Sequence, residues 1–331
     1  MKPSQTSIGE TPSKPRSLTG TLRDYLALTK PRVATLVLFS VAAGSILAAL
    51  ANHLTVDWVQ MGWLVLGAAL VSSSASAFNQ ALEIHTDGLM VRTAKRPLPA
   101  RRISKTEAWG FGIVTGMIGM AILMTKGNPA GAWVALVTHV SYVLVYTPLK
   151  TRTNLNTLIG AIPGALPPVI GYVGVVGQME PPCAVLFAVL FLWQIPHFLA
   201  IAWMYKDQYA GAGMHMLTVH DTSGQTTASQ MRNYTLAMVA TASIPVLIQG
   251  RIHGWWDLVY LTGATGVGGW FLWSTILFQR KPCFDSAKFV LRVSLAVLPI
   301  LLLLICLDTW ITRLPGIPPL PSSLLPLEKS P

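Results

Sequence analysis

Residues 183–204 read CAVLFAVLFLWQIPHFLAIAWM, a stretch without a single Asp, Glu, Lys or Arg. About 20 apolar residues carry a helix across the hydrocarbon core of a bilayer, so this stretch reads as a membrane span. The unit recurs in both directions. Comparable stretches cover residues 33–51, 58–79, 108–125, 130–148 and 157–177 before it, and 234–250, 255–278 and 289–311 after it. The expectation is an all-α polytopic membrane protein of about nine transmembrane helices. Composition agrees, because 52% of the 331 residues are apolar and 11% charged, where a soluble domain carries about 25% charge.

The formal net charge of +11 would suggest nucleic acid in a soluble protein. Here the distribution of Lys and Arg matters more than the total. Twenty of the 24 lie before the first span or in the loops after the second, fourth, sixth and eighth spans, leaving only Lys126, Arg251, Arg313 and Lys329 for the other side. Under the positive-inside bias this predicts a cytoplasmic N-terminus, a C-terminus outside, and no nucleic-acid partner. Residues 1–25 read as a disordered cytoplasmic tail, 26–312 as the transmembrane domain and 313–331 as a Pro-rich extracytoplasmic tail. The Ser, Thr and Pro rich start lacks an apolar core and is short for a mitochondrial presequence, which favours a prokaryotic plasma (inner) membrane. Cys183, Cys283 and Cys306 are odd in number and widely spaced, and read as packing residues.

Two loops predicted on the cytoplasmic side, 78–107 and 205–232, bring acids beside bases. Four spans separate them, so the topology suggests two four-helix units in parallel orientation plus a ninth helix. Prolines and glycines concentrate in the fifth span (Gly160, Pro163, Gly164, Pro167, Pro168), which predicts a kinked helix, either packed tightly or walling a cavity.

The chemistry concentrates in Asn79-Gln80-Ala81-Leu82-Glu83-Ile84-His85-Thr86-Asp87. Asn79, Glu83 and Asp87 stand at i, i+4 and i+8, which stacks their oxygens on one helical face. Mg²⁺ suits such a set, since it takes one or two carboxylates, keeps waters and completes its shell with phosphate oxygens. Arg92, Lys95 and Arg96 follow within about two helical turns, and acids beside bases suggest a diphosphate clamp in which Arg92 and Arg96 offer forked donors. Lys95, Arg101, Arg102 and Lys105 read better as loop anchors. His197 lies on the sixth span, where an ionisable residue is a functional candidate. His85 sits beside the acid stripe and His139 has no evident partner.

The run N-x3-E-x3-D followed by M-x-R-T-x2-R-P-L resembles the first aspartate-rich motif of the UbiA-type intramembrane prenyltransferases in the form that haem O synthases carry. Other members usually have Asp where this chain has Gln80 and Glu83. Tyr146-Thr147-Pro148-Leu149-Lys150-Thr151-Arg152-Thr153, with Asn156-Thr157 and Ile159-Gly160-Ala161, is similar to a second stretch of that family. Trp193-Gln194-Ile195-Pro196-His197-Phe198 is similar to a third, and Tyr205-Lys206-Asp207-Gln208-Tyr209 with Ala212-Gly213 and Met216-Leu217 to a fourth. The resemblance spans roughly residues 25–310. Two positions depart from it: Gln208 stands where the family usually has a second Asp, and His215 where it usually has Pro.

The resemblance implies transfer of the farnesyl group of farnesyl diphosphate to the C2 vinyl of haem b, with water and Mg²⁺, and a haem A synthase as the enzyme that would take the product. Glu83 and Asp87, assisted by Asn79, would bind one Mg²⁺, and Asp207 would support a second. Arg92, Arg96, Lys150 and Arg152 would hold diphosphate. His197 is the candidate for contact with haem, since imidazole ligates haem iron readily. A same-class alternative is a UbiA-type enzyme acting on a quinone precursor or chlorophyllide. A transporter is the rival of a different class, but its acids would be expected within spans, not at their ends.

Overall fold

In a computed structural model, which describes residues 17–248 and 255–312, every regular element is helical. The long elements are α2 (Pro31–Ala51), α3 (Trp58–Leu82), α5 (Lys105–Lys126), α6 (Pro129–Val140), α8 (Asn156–Ala165), α9 (Pro167–Val176), α10 (Pro181–Met204), α13 (Gln225–Ile248), α14 (Trp255–Arg280) and α15 (Phe284–Ile311). The remaining helices, α1 (Leu18–Leu28), α4 (Ile84–Leu89), α7 (Thr147–Leu149), α11 (Lys206–Gly211) and α12 (Leu217–His220), complete the set. A π-helical turn over Ser141–Tyr146 joins α6 to α7, and α8 and α9 break at Leu166 within the fifth apolar stretch.

Among the described residues, seven helices are long and apolar enough to cross a membrane. Two further helices, α13 of 24 residues and α14 of 26, occupy the seventh and eighth predicted stretches without joining that set.

Local chemistry sets the ends of these elements. Asp57 caps α3 by accepting from Val59 and Gln60 N–H, Ser104 and Glu107 form a capping box on α5, and Asn128 caps α6 with Pro129 at its first turn. Such residues satisfy N–H groups that a helix start cannot pair internally. The Asp221 carboxylate accepts from Gly224 and Thr227 N–H. That cap explains why α13 begins at Gln225, nine residues before the stretch that hydropathy marks.

The tail expected to be disordered through residue 25 needs correcting, because α1 starts at Leu18 with Ser17 as its cap. Its Asp24 is buried on Arg102 (2.9 Å) and its Leu28 is fully buried against Ala77, Ala81, Leu98 and Ile103. Residues 1–16 and 313–331 of the predicted tails lie outside the described residues.

Close helix crossings rest on small residues. A Cβ at Gly44 would strike the backbone of Pro168, and one at Gly171 the backbone of Val41, so α2 and α9 touch where only glycine fits. In apolar surroundings such contact supplies packing that a hydrophobic drive cannot. Gly164 lies against Gln194 and Gly160 against the Tyr146 ring, which gives the glycines of the fifth stretch a packing role. The last helix returns to the first candidate span: α15 packs on α2, α10 and α14, and Val293, Val297 and Leu301 join Leu186, Val189 and Trp193 in the largest core cluster.

Candidate active site

Asn79 occupies the last turn of α3, Glu83 is the residue between α3 and α4, and Asp87 lies on α4. Although the helix breaks at Glu83, Glu83 N–H donates to Asn79 O (2.9 Å) and Asp87 N–H to Glu83 O (2.8 Å). The i to i+4 rise is therefore kept through the break, and the three polar side chains stay on one stripe. All three are buried.

The stripe faces a cavity of about 80 Å³ lined by Lys30, Asn79, Glu83, Asp87, Arg92, Arg96, Tyr146 and Lys150, with Met90, Tyr209, Met214 and Met216. Four cations thus share one space with two carboxylates. Arg96 Nη1 lies 2.6 Å from Asp87 Oδ2 and Lys150 Nζ lies 2.7 Å from Glu83 Oε1. Lys30 Nζ donates to Asn79 Oδ1 at 2.6 Å, and the Asn79 amide donates to Thr147 Oγ1 at 3.1 Å. The π-helical turn before Thr147 widens the helix by one residue, a feature frequent at functional sites. It leaves Tyr146 against Lys150, whose Nζ sits 4.7 Å from the ring centroid.

Charge coupling in this space is strong. Burial by itself would raise the Glu83 carboxyl, but the ammonium groups of Lys150 and Lys30 hold it below the usual carboxylate range. Burial would lower Lys150, yet Glu83 keeps its ammonium well above the ordinary lysine value. Lys30 goes the other way: burial, then the neighbouring Arg96 guanidinium, push it down to about 7. An excess of cations crowded into a partly desolvated space is stabilised by a polyanion, the condition a phosphate-binding site meets.

Of the residues expected from sequence, Asn79, Glu83, Asp87, Arg92, Arg96 and Lys150 meet here. Arg92 joins the two loops that bring acids beside bases, since its guanidinium donates to Tyr209 Oη (3.3 Å) and lies 5.2 Å from the Tyr205 ring, while its N–H donates to Gln208 Oε1 (3.2 Å). Asp207 and Arg152 are exposed and outside the lining. Asp207 stands two residues before Tyr209 on α11, about 200° around the helix, so the turn that aims Tyr209 inward aims Asp207 out. Arg152 lies two residues past Lys150 in a turn closed by its own N–H on Leu149 O (3.0 Å). Lys30, Tyr146, Tyr209 and Met214 are lining residues that the sequence reading did not assign to the site.

His197 is buried elsewhere, on α10, with Nδ1 2.8 Å from Ser294 Oγ of α15 and its ring stacked on Trp193 (5.0 Å between centroids). Trp193 in turn donates to Ser294 O (2.8 Å), and Gln194 donates to Ala161 O of α8 (2.8 Å). The Trp-Gln-Ile-Pro-His stretch is therefore a staple joining α10 to α8 and α15. His197→Ala should lower the melting temperature by several degrees, on the scale of one buried hydrogen bond plus lost packing, roughly 1–3 kcal/mol. Calorimetry of the detergent-solubilised variant checks this. A fall in haem affinity at unchanged melting temperature would instead support the haem contact expected from the sequence.

The donor set can be tested against Mg²⁺. Two buried carboxylates and an amide oxygen converge on one cavity, and each already carries a cationic group at 2.6–2.7 Å. Hard oxygen donors in that number, with room left for substrate oxygens, fit Mg²⁺. Among the described residues no three of His, Cys, Asp and Glu gather, so a cage made of protein alone is not present.

The profile of the UbiA prenyltransferase family matches residues 37–310. A protein of Solibacter usitatus named protoheme IX farnesyltransferase is 39% identical over 295 residues, covering 87% of this chain and 99% of that relative. Among solved structures, a digeranylgeranylglyceryl phosphate synthase superimposes with a TM-score of 0.69 at 17% identity, covering 88% of this chain and 99% of the other. A UbiA homologue of Archaeoglobus fulgidus, solved with GPP and Mg²⁺, gives a TM-score of 0.55 at 14% identity over 83% of this chain and 99% of its own.

Proposed function

The chain belongs to the UbiA prenyltransferase family, and from that premise we propose that it transfers the farnesyl group of farnesyl diphosphate to the C2 vinyl group of haem b (protohaem IX). The carrying observation is the cavity in which Lys30, Arg92, Arg96 and Lys150 face Glu83, Asp87 and Asn79 at the end of an apolar bundle. Its charge suits a diphosphate head, and the apolar interior suits an isoprenoid tail. The relative in Solibacter usitatus, matched along nearly its whole length, supports the choice of acceptor.

Arg92 and Arg96 would grip the phosphate oxygens with forked donors, while Lys30 and Lys150 act as point charges. Glu83, Asp87 and Asn79 would hold Mg²⁺, which when bound neutralises charge on the departing diphosphate. The allylic carbon–oxygen bond breaks with its electron pair passing to diphosphate, and the cations lower the barrier by meeting charge as it develops. The vinyl π electrons then form the new carbon–carbon bond, leaving a cation beside the porphyrin ring. Water adds there and loses a proton, which yields the hydroxyl. No nucleophilic side chain is required. Exclusion of water from the apolar part of the bundle protects the allylic cation until the vinyl group reaches it.

In this reading the cavity opens to the cytoplasmic side of a prokaryotic plasma membrane, the N-terminus is cytoplasmic, and a haem A synthase is a fitting recipient of the product. The test is mass analysis of the haem recovered after the purified protein is incubated with haem b, farnesyl diphosphate and Mg²⁺. The expected product is haem plus one farnesyl group and one hydroxyl group. Unmodified haem, with transfer to a quinone precursor or chlorophyllide instead, would assign the other acceptor class.

A further inference from the structure

Helix α1 has two faces with different fates. Asp24 and Leu28 are buried against the protein, Asp24 on Arg102 and Leu28 among Ala77, Ala81 and Ile103. Leu18, Leu22 and Leu26, at i, i+4 and i+8, are 85%, 70% and 58% exposed. An apolar stripe of this kind needs a partner.

Three observations give the stripe a depth. Tyr25 packs against Phe111, the two rings tilted with their centroids 5.4 Å apart, and Phe111 lies six residues, about 9 Å, inside the start of α5. Only Thr29 and Lys30 separate α1 from α2, the first candidate span, whose Val33 is itself 62% exposed. Finally, Arg23 and Arg32 are exposed beside the stripe, and the sequence just before α1 adds Lys14 and Arg16. Leucines on one face, cations at the rim and a level one to two turns inside a span's end are the features of a helix lying in the headgroup layer of an anionic leaflet.

The same helix ends at the candidate active site. Gln80, fully buried, donates its amide to Leu28 O (2.9 Å), satisfying the last carbonyl of α1. Lys30 then adopts a left-handed conformation (φ 51°) and reaches Asn79. A non-glycine residue in that region persists only where its surroundings impose it, and the seated α1 supplies them.

We propose that α1 is an in-plane membrane anchor, its Leu18, Leu22 and Leu26 stripe sunk in an anionic lipid surface, and that this seating positions Lys30 in the cavity. The anchor follows from the geometry alone, whereas its effect on Lys30 rests on the proposed prenyl transfer.

The experiment places an environment-sensitive fluorophore on Leu22→Cys or on Ala27→Cys, which lies about 140° around the helix from Leu22, each in a background without the native cysteines. The full chain is reconstituted in vesicles of phosphatidylcholine and phosphatidylglycerol with brominated acyl chains. Quenching by the brominated lipid should be at least about twofold greater at Leu22 than at Ala27, with the order reversed for aqueous iodide. Equal quenching at the two positions, quenching of Leu22 from water alone, or disulfide cross-linking of Leu22→Cys to a second copy would overturn the anchor.

The coupling has its own arm. The triple variant Leu18→Asn, Leu22→Asn, Leu26→Asn alters only exposed side chains, so the bundle's melting temperature should hold. Its KM for farnesyl diphosphate should rise several-fold with kcat nearly unchanged, the pattern of lost uniform binding. An unchanged KM would overturn the coupling. If the wild-type chain transfers no farnesyl group, the quenching arm still decides the anchor.

Discussion

Asp87→Asn should leave a folded protein that transfers farnesyl at least roughly 10²–10³ times more slowly, the range seen when one preorganised electrostatic contact is removed. Asp87 is 1% exposed and its carboxylate meets Arg96 at 2.6 Å. The amide is nearly isosteric, and the backbone bond from Thr93 Oγ1 to Asp87 O (2.8 Å) does not involve the altered atoms. What is lost is one of two negative charges in a space that holds four cations. The cavity would then attract phosphate more strongly yet bind Mg²⁺ less well, so kcat should collapse while KM for farnesyl diphosphate stays or falls. Initial rates across a Mg²⁺ titration check this, and near wild-type turnover at saturating Mg²⁺ would remove Asp87 from the machinery.

The acid stripe could be read from sequence because it is local. Asn79, Glu83 and Asp87 depend only on helical spacing, and the chain keeps that spacing even across the break at Glu83. Lys30 shows the opposite case. It stands 49 residues from Asn79, and in the sequence it is one of six cations ahead of the first span, indistinguishable from Arg32 by composition. Only the left-handed turn after α1 selects it. Asp207 is a candidate on the resemblance alone, and Gln208 beside it is the position that departs from the family. In the structure Gln208 instead accepts from Arg92 N–H, and the inward side chain of that helix is Tyr209.

Helix α1 is invisible to a hydropathy window because its leucines are interrupted by Thr, Gly, Arg and Asp. Periodicity was the signal available there, since Leu18, Leu22 and Leu26 repeat every four positions. The start of α13 escaped for a related reason. Gln225 to Arg232 is polar, and the helix is set there by the Asp221 cap, which an apolar window does not register.

Lys150→Met should separate stability from catalysis. The Lys150 and Glu83 side chains are 13% and 9% exposed, 2.7 Å apart. Removing the ammonium strands a carboxylate in a space that disfavours it, and breaking a buried pair on one side costs roughly 3–5 kcal/mol. Because this pair lines a cavity that water can enter, a loss of about 1–3 kcal/mol is the fitting expectation. The stranded Glu83 would also take up a proton more readily, since the ammonium that holds its carboxyl below the usual range is gone. Turnover should fall about 10²-fold or more, through the lost phosphate contact and the weakened metal ligand together. Adding Glu83→Gln removes the stranded charge, so the double variant should regain most of the stability while transferring no faster than the single one. Lys150→Arg, which keeps the charge but not the point geometry, should recover stability and part of the rate. The cycle is read by thermal unfolding in detergent beside initial rates at saturating Mg²⁺. If Lys150→Met unfolds at the wild-type temperature and retains wild-type turnover, the ion pair neither supports the loop nor serves the reaction, and the clamp would have to rest on Arg92, Arg96 and Lys30 alone.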